Sequence, residues 1–173
     1  MNGIKKLAYG FTMSVSLTFF ITSAFAVDYV WNGINDGVWE DSANWIPNTG
    51  FPSTPEDTAT INNPLNKEGE GSSFQVTVTN PLNIASMTIG GVEGNEGKVT
   101  LLFSTFLATN KISGNVTIGS NAILTHFGPN TTITNNLCLQ VGGDMTIAAA
   151  GKIDVSKKGY AFIPNGGTSN FKY

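Results

Sequence analysis

Two carboxylates late in the chain, Asp144 and Asp154, form the pair that could hydrolyse a glycosidic bond, a reaction needing two acids facing each other across ~5–10 Å. Asp144 follows Gly142-Gly143 and Asp154 lies within Lys152-Ile153-Asp154-Val155. These contexts place them on different faces or coils, with no third acid nearby. Lyase chemistry on acidic sugars needs a base and a cation to neutralise the uronate, yet the chain has no arginine and its nine lysines are scattered. The densest acidic group is Asp36, Glu40 and Asp41 beside Trp39. Clustered carboxylates could hold Ca²⁺ and the tryptophans could stack on sugar rings. The reading adopted is that Asn35-Asp36-Gly37 is a tight turn and that the tryptophans are buried. The only cysteine, Cys138, has no base beside it, as a nucleophile requires. It reads as a small side chain on a strand. The only histidine, His126, falls in an unrelated run, reads as turn- or solvent-facing, and has no metal partner at ligand spacing. No catalytic, cofactor-binding or metal-binding residue is predicted.

The composition narrows the partners. Residues 1–26 carry Lys5 and Lys6, an uncharged stretch from Leu7 to Ile21, and Ala24-Phe25-Ala26, the pattern of a signal peptide cleaved after Ala26. Gly10, Thr12, Ser14, Ser16 and Thr18 dilute the apolar stretch, which is shorter than the ~20 strongly apolar residues of a stable membrane span. The exported chain, destined for the extracellular space, the cell surface or the periplasm, would begin at Val27 and leave no span behind. It keeps seven lysines and all twelve acids, a net charge of −5. With no basic stripe to displace counterions from phosphates, nucleic acid is not a partner. A single cysteine allows no internal disulfide, so stability must come from packing and backbone pairing.

The elements that would position any site are short strands bounded by Gly, Asn and Pro. Examples are Phe74-Gln75-Val76-Thr77-Val78, Val99-Thr100-Leu101-Leu102-Phe103 and Ala122-Ile123-Leu124-Thr125, whose β-branched content suits a pleated surface. Met87-Thr88-Ile89, Val116-Thr117-Ile118 and Met145-Thr146-Ile147 recur at 29-residue spacing. Gly97-Lys98-Val99-Thr100-Leu101 mirrors Gly151-Lys152-Ile153-Asp154-Val155, and Asn110 falls where the next copy has Leu139. A fixed period of this size marks a stacked architecture. About three strands per repeat make one coil of a triangular, all-β, right-handed single-stranded parallel β-helix. The alternative is an antiparallel β-sandwich, whose strands have no reason to recur at a fixed interval. The predicted core column is Ile89, Ile118 and Ile147, joined by Ile153 and Val155.

Residues 27–66 differ in kind, being rich in Trp, Asn, Gly and Pro. They read as an N-terminal cap and first strand, with Trp31, Trp39, Trp45 and Asp57 as its structural residues, because the first coil has an edge to protect. Residues 67–158 read as the repeats, and 159–173 as a Gly-containing tail that makes a poor lid. The mature chain is therefore expected to self-associate through its last coil, or else to be only marginally stable alone.

Trp31, Gly33, Gly37, Trp39, Asn44, Trp45, Pro55, Asp57, Ala59 and Ile61 spell W-x-G…G-x-W…N-W…P…D-x-A-x-I. With Met87-Thr88-Ile89-Gly90 and Gly143-Asp144-Met145-Thr146-Ile147, this resembles the start of bacterial autotransporter-like surface β-helix proteins over most of residues 29–158. The resemblance implies a β-solenoid passenger opening just after a signal peptide; the chain as a whole reads as structural or adhesive, with a surface glycan or host ligand as a partner. The alternative is a carbohydrate-binding or polysaccharide-active β-helix. Such relatives continue for hundreds of residues, so the chain reads as the N-terminal piece of a larger design or a minimal version of it.

Overall fold

The computed structural model describes residues 25–33, 35–62, 73–90, 97–105, 108–128 and 136–158. The predicted signal up to residue 24 and the tail 159–173 lie outside them. In chain order the first strands are β1 (Asp28–Trp31), β2 (Gly37–Val38), β3 (Trp45–Ile46), β4 (Thr58–Ile61) and β5 (Phe74–Val78). Next come β6 (Asn83–Ile84), β7 (Ser86–Ile89), β8 (Val99–Phe103), β9 (Asn110–Ile112) and β10 (Val116–Ile118). The last are β11 (Ala122–His126), β12 (Leu139–Val141), β13 (Met145–Ile147) and β14 (Lys152–Ile153). A 3₁₀ turn, Ser42–Asn44, precedes β3.

These strands build three sheets, ordered β13-β10-β7-β4-β1-β3, β14-β11-β8-β5-β2 and β12-β9-β6. Apart from β1 with β3, the pairs are parallel. From β4 onward, sheet neighbours lie three strands apart in sequence, so the chain visits each sheet once per coil. The fold is a β-solenoid of about four turns, and the antiparallel sandwich is excluded.

Alternation creates the coil. Thr58–Ile61 and Phe74–Val78 bury every second residue, because successive side chains on a strand point to opposite faces. The inward residues stack in register. Ile61 pairs with Ile89, Ile89 with Ile118 and Ile118 with Ile147, so the 29-residue repeat is the coil itself. Ile89 and Ile118 are fully buried, whereas Ile147 is 45% exposed. Ile153 lies over Leu124, which lies beside Leu101. Ile153 and Val155 are likewise partly exposed, because among the described residues the last coil has a neighbour on one side only.

The sequence match of Gly97–Leu101 with Gly151–Val155 is corrected by two positions. It would place Ile153 over Val99, but the register places it over Leu101. A two-residue shift preserves the alternation, so the inward set stays inward. Gly90, closing β7, has φ +66°, and a Cβ there would stand 2.7 Å from the Ala122 Cβ of the next coil. Only glycine combines that backbone with that approach.

Candidate functional site

The capped end is the most elaborately built region. Trp39 and Trp45 are fully buried and Trp31 nearly so. Trp45 is central, edge-on to Trp39 at 4.8 Å, to Trp31 at 5.1 Å and to Tyr29 at 6.2 Å, while Trp31 stacks on Phe74. Trp45 Nε1 donates to the Trp39 carbonyl at 2.7 Å and Trp39 Nε1 to the Pro52 carbonyl at 2.9 Å. These rings offer no open face to a sugar. They fill the end of the core, while β3 runs antiparallel along β1 and closes the edge of the first sheet.

The acids around Trp39 do not converge. Asp36 Oδ1 accepts the Gln75 N–H at 2.7 Å. Glu40 Oε1 accepts those of Thr79 and Asn80 at 2.8 and 2.7 Å, and Asp41 caps the 3₁₀ turn through Ala43 N–H. β2 is two residues long and β5 is five, so β2 cannot satisfy all of β5. Asp36 takes a β5 donor that β2 leaves over and Glu40 takes the two donors just past the end of β5, closing the edge of the second sheet. A turn is legible here from local sequence but this role is not, because the donors lie 39 and 40 residues away.

Asp57, 3% exposed, is a second organising centre. Its Oδ2 accepts the Ser53 and Thr54 N–H groups at 3.0 and 2.9 Å, and its Oδ1 accepts that of Val27 at 3.3 Å. Its charge reaches Tyr29, whose hydroxyl pKa is raised first by burial and then by this carboxylate.

The remaining candidates are dispersed. Asp144 is exposed, and its N–H is held by Asn115 Oδ1 at 2.9 Å. Asp154 pairs with Lys152 at 2.9 Å, and this partner, with the Ser156 N–H, holds its carboxyl well below the usual range. His126 is a correction: it is 6% exposed rather than solvent-facing. As the last residue of β11 it pairs in register with Phe103 of β8, with Nδ1 2.8 Å from the Phe127 carbonyl. Cys138 lies just before β12, half-buried, its Sγ 3.5 Å from Thr109 Oγ1.

Asn110, read in the sequence as an imperfection of the repeat, is fully buried and joins three coils. Its Oδ1 accepts the Leu82 N–H at 3.1 Å, and its Nδ2 donates to Thr105 Oγ1 and the Cys138 carbonyl, each at 3.1 Å.

Outside, the first sheet carries a column in register, Val30, Thr60, Thr88, Thr117 and Thr146. On the third sheet Asn83, Lys111 and Gln140 align and, with Ser113 and Gly142, line a groove of ≈ 180 Å³. That is below the ~300–1,000 Å³ of a typical small-molecule pocket. No family model matches the chain, and no curated protein and no solved structure is significantly similar to it.

Proposed function

We propose that this chain is an exported structural or adhesive β-solenoid, built like the opening part of an autotransporter-like surface protein. The observation that carries the reading is the unbroken register of the stack. Each coil lays its apolar residues on those of the coil before, and on the first sheet four successive coils present the same outward residue, Thr60, Thr88, Thr117 and Thr146. Repetition along an axis makes a stiff surface, whereas a catalytic centre needs unlike groups converging on one point. Acting as a scaffold rather than as a reader of sugars, the purified exported protein should leave polysaccharides uncut and give no saturable binding on a glycan array. Either response would favour the second reading, a carbohydrate-binding or polysaccharide-active β-helix, for which the groove along Asn83, Lys111 and Gln140 is the supporting observation.

The partner we infer for the last coil is a second copy of this chain. Met145, Ile147, Ile153 and Val155 are all at least 38% exposed. The other end is closed by β3 and by the Asp36 and Glu40 carboxylates, which blocks head-to-tail stacking. The remaining contact is last coil to last coil, a closed two-fold dimer.

A further inference from the structure

Val27 is where the predicted cleavage site meets the fold. Among the described residues it is the first tied into the stack. Its carbonyl accepts the Thr58 N–H at 3.0 Å, its N–H donates to Asp57 Oδ1 at 3.3 Å, and its side chain packs against the core. Immediately before it, Ala26 is exposed and Phe25 is 83% exposed. The Ala26–Val27 bond thus lies at the boundary between chain a peptidase can grip and chain the fold retains.

Asp57 is suited to what cleavage would leave there. It is almost wholly buried, and three backbone N–H groups point at it, yet among the described residues the single ion pair is Lys152 with Asp154, elsewhere in the molecule. A buried carboxylate with amide donors and no counter-charge is costly. The Val27 contact is the longest of the three, and its donor is the one nitrogen whose charge can change.

We propose that Asp57 is the receptor for the α-ammonium group created by removal of the signal peptide, an inference that rests on the export reading. An external peptidase adds water across the Ala26–Val27 amide. Ala26 departs as the carboxylate end of the released peptide, and the Val27 nitrogen takes up protons to become an ammonium beside Asp57 Oδ1. The mature chain then carries an ion pair that its precursor lacks, and the first coil is locked by processing.

The test uses the full chain, secreted with its own signal from an exporting host, as wild type and as Asp57→Asn. N-terminal sequencing of the exported product comes first, and a start other than Val27 overturns both the processing reading and this proposal. With a Val27 start, acylation of the α-amine by acetic anhydride at neutral pH is followed by peptide mapping. The amine should react roughly tenfold more slowly in wild type than in Asp57→Asn, the scale of one charge-assisted hydrogen bond. Nα-acetylation should also lower the melting temperature of wild type by several degrees and that of the variant hardly at all. Equal rates and equal melting shifts would overturn the role of Asp57 while leaving the processing reading intact. If Asp57→Asn does not fold, wild type alone decides. Its amine must react about tenfold faster in concentrated urea than in the native state, and equal rates there refute the proposal.

Discussion

At Asn110 a buried polar side chain does what a leucine in the same column cannot. Replacing it with leucine, the residue that pairs with it in the next coil, adds apolar volume but strands the Leu82 N–H and removes two further hydrogen bonds. Each buried donor left unpaired costs about 1–3 kcal/mol. Urea denaturation of Asn110→Leu should therefore show a loss of roughly 2 kcal/mol or more, despite the gain in hydrophobicity. Tyr29 makes a pH prediction. Its pKa is raised by burial and then by Asp57, so its contribution is complete below the unfolded tyrosine value of about 10 and is lost as pH rises through the folded one. Tyr29→Phe should flatten that alkaline decline, measured as melting temperature against pH. Residue roles were the least legible part of the sequence. Asn110 looked like a fault in the repeat because its partners come from neighbouring coils, and His126 looked exposed because nothing local reveals that it is paired with Phe103 of the preceding coil.

The elements were read more fully, since strands of this fold announce themselves by alternation and β-branched content. The 29-residue spacing of Met87-Thr88-Ile89, Val116-Thr117-Ile118 and Met145-Thr146-Ile147 is a direct statement of register. What escaped was the offset of two between β8 and β14, since alternation is blind to even shifts, and the completion of β2 by Asp36 and Glu40. The column of isoleucines offers a graded test. Ile118 is fully buried between two coils and Ile147 is 45% exposed. Ile118→Ala should cost about 2–5 kcal/mol, as buried truncations do, and Ile118→Asp should abolish folding. Ile147→Ala should cost less than half as much as Ile118→Ala. Equal losses at the two positions would mean that the last coil is as covered as the middle one.

At the scale of the whole stack, its two ends are unlike among the described residues. The first coil is sealed by the tryptophan cluster, β3 and two carboxylates, and the last presents Met145, Ile147, Ile153 and Val155. The dimer proposed above should appear as a rise in mass with concentration in sedimentation, abolished by Ile153→Asp with Val155→Asp and scarcely altered by removing residues 160–173. A monomer at every concentration, with the amides of Lys152 to Ser156 protected from exchange, would show that the tail covers this face instead.

The claim on which all of this depends is that successive 29-residue repeats are adjacent rungs of one parallel stack, and paired cysteines on the threonine column test it most directly. In a Cys138→Ser background, Thr88→Cys with Thr117→Cys and Thr117→Cys with Thr146→Cys bring together residues paired in register. Neighbouring strands lie ≈ 4.8 Å apart, within the ~4.4–6.8 Å between Cα atoms that a disulfide spans. Thr88→Cys with Thr146→Cys lies two rungs apart, ~9.6 Å by the same spacing, and out of reach. Both neighbouring pairs should close under mild oxidation as intramolecular disulfides while the two-rung pair stays reduced; closure of the two-rung pair, or failure of both neighbouring pairs in folded protein, would rule out the parallel stack.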